Sequence, residues 1–423
     1  MGVAEENPGP PALGIVSPSM PARGAFDVVV VGASIAGCTT ARRFALAGAR
    51  VALIERRPDP AAYKVACTHG ILSSAVPTIE RLGLAPLLDA RGAVRTYPAA
   101  WTPYGGWIGF PNDIPSGYGV TRRTLDPMLR ELAVGTPGVE LLSGATVVGL
   151  VGGDRGPGGV EVEGPDRRLQ TVRARLVVGA DGRDSTVARL ARVPGRVRPH
   201  NRFVYFAYWR GVRPRTDRAR LWFLEPDIAA AFPNEDDLTV IAAVRHRSRL
   251  AEFRGDPEAA YRHMVAALPD GPAVSDAERV SKLIGKLEMP NVMRPAARPG
   301  LAFVGDAALA TDPVFGVGCG WAFQSAEWLV EHTRTALLDR GDLDGALDRY
   351  RRAFRRRLGL DHWLIADFSS GRKLRPLERM PFRAAVGDPV VARALEEVTS
   401  RRRTALRVLD PRLAPRLLRP LQN

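Results

Sequence analysis

The chain has 423 residues, of which 45% are hydrophobic and 25% charged, and its formal net charge is +15. The length favours two domains, and no apolar run approaches the ~20 residues of a membrane-spanning helix, which excludes an integral membrane protein. Almost all of the positive charge is arginine spread along the chain, since lysine occurs only at Lys64, Lys282, Lys286 and Lys373. Scattered arginines disfavour a nucleic-acid groove, so no nucleic-acid partner is expected.

The first 24 residues, MGVAEENPGPPALGIVSPSMPARG, are rich in proline and glycine and lack the features of a signal peptide. They predict a disordered N-terminal arm over residues 1–24 and a cytoplasmic protein. The three cysteines, Cys38, Cys67 and Cys319, are far apart and form no CxxC or Cys/His cluster. We therefore expect free thiols in a reducing compartment and no metal site.

The run FDVVVV at residues 26–31 predicts a strand buried on both faces of a parallel sheet. It is followed by GASIAG, a helical pattern and a second predicted strand that ends at Glu55. Gly32 allows a tight turn, Gly37 allows close packing of helix on strand, and Ser34 stands where a dinucleotide fingerprint has its middle glycine. The helix N-terminus would bind a pyrophosphate and Glu55 a ribose. The alternative is a βαβ unit without a ligand.

Two later segments also consist of a strand followed by glycine and aspartate. Residues 176–178 (LVV) lead into Gly179-Ala180-Asp181-Gly182, and residues 301–304 (LAFV) lead into Gly305-Asp306. The second segment continues as AALATDPVFGVGCG and then as a helix predicted at residues 322–338.

With these three segments in this order, the chain resembles the FAD-dependent aromatic-hydroxylase superfamily over about residues 25–395. That superfamily includes single-component flavoprotein monooxygenases, flavin halogenases and geranylgeranyl-reductase-like enzymes. The resemblance implies an α/β fold, with a Rossmann-like FAD-binding domain and a second, antiparallel-sheet substrate domain. The implied boundaries are 25–98, 122–195 and 285–395 for the FAD-binding domain, 99–121 and 196–284 for the substrate domain, and 396–423 for a C-terminal helical tail.

The resemblance also implies a set of FAD-binding positions. Arg122 would lie near the phosphates, Asp306 would hold a ribityl or ribose hydroxyl, and the glycines before residue 320 would bring a helix N-terminus to the flavin ring. The Asp-Gly pair at 181–182 is linked to FAD and to passing contact with NAD(P)H. The full set is Gly32, Ser34, Ile35, Ala36, Gly37, Glu55, Arg56, Arg122, Asp181, Gly182, Gly305, Asp306, Pro313, Gly316, Val317, Gly318 and Cys319.

The sequence departs from the family pattern at several positions. Ala188 stands where an arginine is frequent, and Leu309 stands where histidine commonly follows Gly-Asp-Ala-Ala. Hydroxylases usually have asparagine at the position of Gly320, and Pro-x-x-Gly-x-Gly-x-x-x-Ala, ending at Ala322, is closer to the geranylgeranyl-reductase-like branch. The Trp-x-Trp-x-Ile-Pro element is missing, so a halogenase is not expected.

Residues 201–212, 219–226 and 237–246 are rich in aromatic and β-branched side chains and predict antiparallel strands of the substrate domain. Most aromatic residues on strands belong to a core, but together they favour a bulky apolar or aromatic substrate. The possible pocket residues are Trp107, Phe110, Tyr205, Tyr208, Trp209, Trp222 and Phe232.

Lys64, Cys67 and His69 lie in AAYKVACTHG, where chains of this superfamily pass the flavin ring. A base here would deprotonate a phenolic substrate, but a structural histidine in an exposed loop is the alternative, and no catalytic residue is assigned. Cys319 is interpreted as a small residue packed beside the flavin. The basic C-terminal tail is interpreted as a solvated helix, with a membrane-surface helix as the alternative if the substrate is lipidic.

These features favour an FAD-dependent monooxygenase of bacterial secondary metabolism. It would insert one oxygen atom of O₂ into a bulky aromatic, polyketide or terpenoid molecule through a flavin C4a-hydroperoxide, with NAD(P)H or a separate flavin reductase as reductant. The first alternative is a flavin-dependent reductase or dehydrogenase of prenyl or terpenoid groups, as the residues around Gly320 suggest. The second is a basic binding protein without catalytic activity.

Overall fold

The computed structural model describes residues 25–153 and 156–418, so the arm predicted at 1–24 and the last five residues of the tail lie outside the described residues. Within these ranges, no helix is long and apolar enough to cross a membrane. The α-helices of the described residues are α1 (Ile35–Leu46), α2 (Val76–Arg81), α3 (Ala85–Ala90), α4 (Arg122–Val134), α5 (Thr186–Leu190), α6 (Leu250–Gly255), α7 (Pro257–Ala266), α8 (Gly318–Leu338), α9 (Leu343–Phe368), α10 (Pro376–Ala384), α11 (Pro389–Thr399) and α12 (Ala414–Leu417).

The strands of the described residues form three sheets. In chain order they are β1 (Phe26–Val31), β2 (Val51–Glu55), β3 (Gly70–Ile71), β4 (Val94–Thr102), β5 (Gly106–Trp107), β6 (Gly117–Gly119), β7 (Val139–Ser143), β8 (Thr146–Gly153), β9 (Gly156–Glu163), β10 (Leu169–Gly179), β11 (Arg196–Arg198), β12 (Arg202–Arg210), β13 (Arg218–Phe223), β14 (Ile228–Pro233), β15 (Leu238–His246), β16 (Glu278–Arg279), β17 (Ile284–Lys286), β18 (Asn291–Met293), β19 (Ala297–Arg298), β20 (Leu301–Phe303) and β21 (Leu309–Ala310).

The first sheet has a parallel centre in the order β20-β10-β1-β2-β7. The central strands β1 and β2 are buried on both faces, as the β-branched run of β1 predicts. Val31 pairs with Gly179, and Gly179 pairs with Phe303, so β1, β10 and β20 end side by side. The three glycine-containing segments that follow these strands therefore meet at one edge of the sheet, where ligands of such folds bind.

The second sheet has the order β16-β12-β15-β14-β13-β4-β6-β3. Its neighbours are antiparallel except for β4 and β13, which run parallel. The strands predicted at 201–212, 219–226 and 237–246 pair antiparallel with their neighbours β15 and β14, and the one parallel pair arises because the connection from 102 to 218 is a long crossover through the first sheet. Strand β14 was not predicted, since IAAAFP lacks the alternation that marks a half-buried strand.

The boundaries expected between the two domains fall partly inside regular elements. The division between residues 98 and 99 cuts β4, and the division at 396 cuts α11. A third small sheet, β11-β18-β21, lies between the chain segments of the two large sheets. The α/β class, with a Rossmann-like domain and a second domain built on a largely antiparallel sheet, is confirmed.

The second sheet has an inner and an outer face because strand side chains alternate. Trp209 and Trp222 pack with Tyr261 of α7 on the outer face, where the Trp209 indole donates to the Tyr261 hydroxyl at 3.0 Å. Tyr205 also packs against this cluster. Three of the predicted pocket residues therefore belong to a core, namely Tyr205, Trp209 and Trp222. The sequence interpretation had noted that most aromatic residues on strands do so.

Candidate active site

A groove of about 2390 Å³ lies where the three glycine-containing segments meet. Fifteen of the seventeen positions expected to bind FAD line it, including Arg56 and Ile35. Gly37 and Val317 do not: Gly37 packs on the turn below, and the Val317 side chain is buried in the core. The structure thus brings together residues from positions 31 to 322 of the sequence.

The turn after β1 leaves no room for side chains at its two glycines. Gly32 has a φ of +103°, and a Cβ there would lie 2.6 Å from the Ala180 carbonyl oxygen. A Cβ on Gly37 would lie 1.7 Å from the carbonyl oxygen of Gly32. Glu55 ends β2 and accepts the Ala33 N–H at 2.9 Å. Burial acts to raise the pKa of Glu55, but the N–H donors of Ala33 and Arg57 outweigh it and lower this pKa, so the carboxylate stays charged.

Arg122, at the start of α4, joins the glycine turn to a buried carboxylate. Its guanidinium donates to Asp126 from Nε at 2.8 Å and to the Ser34 hydroxyl from Nη2. Ser34 in turn donates to Asp126 at 3.3 Å, and the Lys64 N–H donates to Asp126 at 2.9 Å. Asp126 was missed by sequence reasoning, although its position four residues after Arg122 places both on one face of α4.

Lys64 spans the groove to Asp306. Its ammonium lies 2.8 Å from the Asp306 carboxylate, which raises the pKa of Lys64 and keeps it protonated. Lys64 is therefore excluded as the base suggested for this segment. Burial acts to raise the pKa of Asp306, but the charge of Lys64 outweighs it, and the pKa of Asp306 is lowered. A negative Asp306 fits a site that accepts hydrogen bonds from sugar hydroxyls.

Cys67 and Cys319 form a thiol pair in the wall of the groove. Their sulfur atoms are 3.7 Å apart, and the His69 N–H donates to the Cys67 sulfur at 3.3 Å. The hydrogen bond from Cys319 lowers the pKa of Cys67 well below its ordinary value, and the same bond raises that of Cys319. This contact therefore favours the thiolate at Cys67 and the proton at Cys319. No partner of Cys319 was predicted from the sequence, because the two cysteines are separated by 252 positions.

His69 and Tyr208 form a second proton-bearing pair beside the thiols. His69 is buried with a φ of 64°, and its Nδ1 accepts the Arg122 N–H at 2.8 Å. Nε2 therefore carries the proton of the neutral ring and faces the Tyr208 hydroxyl, which is within hydrogen-bond distance. Burial raises the pKa of Tyr208, so its phenol remains protonated at neutral pH.

Three glycines on the opposite wall leave the groove open. A Cβ on Gly182, Gly316 or Gly318 would meet no protein atom within 4 Å. Helix α8 begins at Gly318, four residues before its predicted start, so free N–H groups of its first turn lie beside the groove. Asp181 lines the same wall and accepts hydrogen bonds from Ser185 and from the Val187 N–H. A large open groove with a helix N-terminus, backbone walls and acceptors at Glu55 and Asp306 fits a flavin dinucleotide.

An apolar cavity of about 760 Å³ adjoins the groove, with Gly70 in the wall of both. It lies between the inner face of the second sheet and the helices α10 and α11. Of the predicted pocket aromatics, Phe110 and Phe232 line it, while Trp107 packs edge-on against Trp222 outside it. The sequence did not predict the remaining aromatic lining residues, which are Phe223, Phe315 and Phe382.

The family model described as FAD binding domain matches residues 25–358. The chain is 27% identical over 336 residues to digeranylgeranylglycerophospholipid reductase 2 of Methanothermobacter thermautotrophicus, covering 79% of this chain and 84% of that protein. It is 30% identical over 306 residues to the protein of the same name from Methanopyrus kandleri, covering 69% and 73%. The structure of the flavin-dependent brominase Bmp2 matches with a TM-score of 0.76 at 18% identity, covering 89% of this chain and 94% of that chain, which indicates a shared fold alone.

The chain therefore belongs to the FAD-binding-domain family of flavoproteins. Within that family it is an FAD-dependent oxidoreductase, and the resemblance to the aromatic-hydroxylase superfamily is confirmed. The comparisons favour a reductase, the first alternative in the sequence interpretation, over the monooxygenase.

Proposed function

We propose that this protein is an FAD-dependent reductase of carbon–carbon double bonds in a long, apolar, isoprenoid-type molecule. The observation that carries the proposal is the meeting of proton-bearing groups with an apolar cavity. The Cys67–Cys319 pair lines the groove, and Gly70, three residues after Cys67, lies in the wall of both the groove and the cavity. Reduction of a double bond requires a proton on one carbon and a hydride on the other, so an acid must lie beside the redox group.

FAD, when bound, supplies the two-electron chemistry. The groove residues would hold it, with the α1 N-terminus at the pyrophosphate, Glu55 at the adenosine ribose and Asp306 at a flavin-side hydroxyl. The first turn of α8 would place N–H groups near the ring and stabilise negative charge on it. NAD(P)H or a partner reductase is the proposed source of electrons.

The protein's own groups would handle the proton. Cys319 would hold it at Sγ, because the contact with the Cys67 sulfur raises the pKa of Cys319. Arg122 and Lys64 lie close enough to influence the pKa of Cys319, and their positive charges would stabilise the pair after the proton leaves. Tyr208, a predicted pocket residue, contacts His69 but lines neither the groove nor the cavity, so its hydroxyl is the more remote proton source.

The shape and lining of the cavity support an apolar substrate. Its walls are mostly aliphatic and aromatic, so a hydrocarbon chain gains burial there and water is displaced from the reacting bond. The relatives are digeranylgeranylglycerophospholipid reductases, which supports the same class of reaction here. A cytoplasmic location is proposed on the sequence alone.

An anaerobic assay tests the proposal. The FAD-loaded protein is reduced without oxygen and mixed with geranylgeraniol, and the products are analysed by mass spectrometry. A gain of two hydrogen atoms per turnover, without oxygen, is the expected result. The parallel reaction under ¹⁸O₂ separates the monooxygenase alternative: a product that carries one ¹⁸O atom and no added hydrogen would overturn the reductase proposal.

A further inference from the structure

A further pocket, of about 710 Å³, lies on the outer face of the second sheet, opposite the apolar cavity. Its position follows from the alternation of side chains along β13. Ala219 and Leu221 line the cavity on the inner face, so Arg218 and Arg220 point to the outer face and line this pocket. We call it the outer pocket. It shares no described lining residue with the groove or the cavity, and no step of the proposed reaction uses it.

Three arginines and two aspartates line the outer pocket. Each aspartate already has an arginine partner, since Asp217 lies 3.8 Å from the Arg218 guanidinium and Asp237 lies 3.7 Å from that of Arg215. Arg220 differs, because no carboxylate of the described residues forms an ion pair with it. The positive charge that remains without a partner in this pocket is therefore that of Arg220.

The Arg220 guanidinium is partly buried and keeps one donor nitrogen open. It lies over the Trp222 ring, and its Nη1 donates to the carbonyl oxygen of Asp270 at 3.2 Å. Nε is closed off from solvent without a partner, whereas Nη2 makes no hydrogen bond to the described residues and is not closed off. Burial lowers the pKa of Arg220 and no carboxylate opposes this effect, yet an arginine stays protonated at physiological pH. A cation in this position is stabilised by an anion that reaches Nη2.

Two hydroxyl groups of the same pocket can donate beside Arg220. The Thr216 oxygen accepts the Arg218 N–H at 3.0 Å, which leaves its own proton free to donate. Thr239 lines the pocket from β15, and its hydroxyl has no hydrogen-bond partner among the described residues. The donors thus come from separate segments of the chain. A tetrahedral phosphate presents acceptor oxygens in several directions, whereas the two oxygens of a carboxylate lie in one plane.

We propose that the outer pocket is a second ligand site, which binds a phosphate group through Arg220 Nη2 and the Thr216 hydroxyl, with Arg218 adding positive charge. The phosphate group belongs either to inorganic phosphate or to a phosphorylated small molecule. This site goes beyond the proposed function and does not depend on it, because the pocket lies on the face of the sheet that turns away from the groove and the cavity.

Calorimetric titration of the oxidised, FAD-loaded protein tests the proposal. Bound FAD occupies the groove, so an added anion does not bind at the pyrophosphate turn. The probes are inorganic phosphate and glucose 6-phosphate, with acetate as the carboxylate for comparison. At least one phosphate probe is expected to bind at one site, about tenfold more tightly than acetate, and to bind more weakly as the potassium chloride concentration rises. The probe with the higher affinity identifies the source of the phosphate group. No binding of either phosphate probe, or equal affinity for acetate, would overturn the proposal.

Three variants assign the binding to the outer pocket. Arg220→Gln should weaken phosphate binding about tenfold, because a hydrogen bond between charged groups is lost. Its folding should be retained, since the change removes a partly buried charge that has no ion-pair partner. Arg218→Gln, at a more exposed side chain, should weaken binding as well. The matched control is Arg210→Gln, which removes the same charge from the same sheet, because Arg210 pairs with Glu278 at 3.6 Å and does not line the pocket.

The comparison of these variants decides the location of the site. If Arg220→Gln and Arg218→Gln bind phosphate as tightly as Arg210→Gln does, the anion binds elsewhere and the proposal falls. The titrations involve no turnover, so their outcome is separate from that of the anaerobic assay of the reductase.

Discussion

Cys67 and Cys319 show how a single contact changes the chemistry of two residues. Burial alone would raise the pKa of both thiols, but at a sulfur–sulfur distance of 3.7 Å the hydrogen bond between them lowers the pKa of Cys67. Cys38 is the informative contrast, because its thiol is buried in α1 away from both and burial raises its pKa to about 12. The same residue type is thus inert at one position and acidic at another.

Replacing either member of the thiol pair by alanine should lower turnover about 100-fold, the range typical of a lost general acid. FAD content, measured by absorbance at 450 nm, should be retained, since neither side chain anchors the dinucleotide. Cys38→Ala is the matched control and should keep near-normal turnover. If both alanine variants turned over as fast as the control, the proton would have to come from elsewhere, with Tyr208 the next candidate.

The lowered pKa of Cys67 also makes a prediction about pH. A thiol with a lowered pKa remains a thiolate to lower pH, so alkylation of Cys67 by iodoacetamide should persist below the pH at which ordinary thiols lose reactivity. Cys38, with its raised pKa, should not react at the same pH. Peptide mass mapping over a pH series measures both rates in one sample. Identical pH profiles for the two cysteines would contradict the pairing.

At the scale of elements, the crossing of α1 over β1 depends on a glycine. A Cβ at Gly37 would lie 1.7 Å from the Gly32 carbonyl, so the helix could not keep its place on the strand. Gly359 offers the opposite case within α9, because its nearest neighbour would be 3.7 Å from a Cβ. The two positions therefore form a matched pair for one substitution.

Gly37→Ala should destabilise the fold and abolish FAD binding, because the pyrophosphate turn is displaced. Gly359→Ala should stabilise the protein by up to about 1 kcal/mol, since alanine is the better helix former. Chemical denaturation followed by circular dichroism, together with FAD titration, compares the two variants with the parent. A Gly37→Ala protein that bound FAD normally would show that α1 can shift without cost.

The elements that were predictable from sequence are those defined by local order. Strand β1, its glycine turn and the acid Glu55 follow one another within 30 residues. Their spacing was therefore enough to predict the fold class and many of the residues that line the groove. Three contacts could not be predicted from the sequence, because each joins residues far apart in the chain. They are the thiol pair, the Lys64–Asp306 bridge and the Tyr208–His69 contact.

At the scale of the whole molecule, the groove is built by both large sheets. The glycine segments of the first sheet form one side, and Val204 and Phe206 of β12 form part of the other. A bound dinucleotide therefore contacts both domains, and its binding energy should add to the stability of the entire chain rather than of one half.

Thermal unfolding should report this coupling. At a free FAD concentration 100 times the dissociation constant, the folded state gains about 2.7 kcal/mol, and the melting temperature should rise with FAD concentration in one transition. Differential scanning calorimetry of the protein stripped of FAD and then titrated with it provides the measurement. Two transitions, of which FAD moved only one, would indicate that the domains unfold independently.

The parallel pairing of β4 with β13 has a consequence for exchanging parts between relatives. The second sheet, which lines the apolar cavity, is assembled from two stretches of chain, 70–119 and 202–286, joined edge to edge at this pair. A chimera that imports only the second stretch would set foreign β13 against native β4 and mismatch the shared wall of the cavity. Substrate preference should therefore be transferable between family members only when both stretches, with the helices α10 and α11 that cover them, are grafted as one unit.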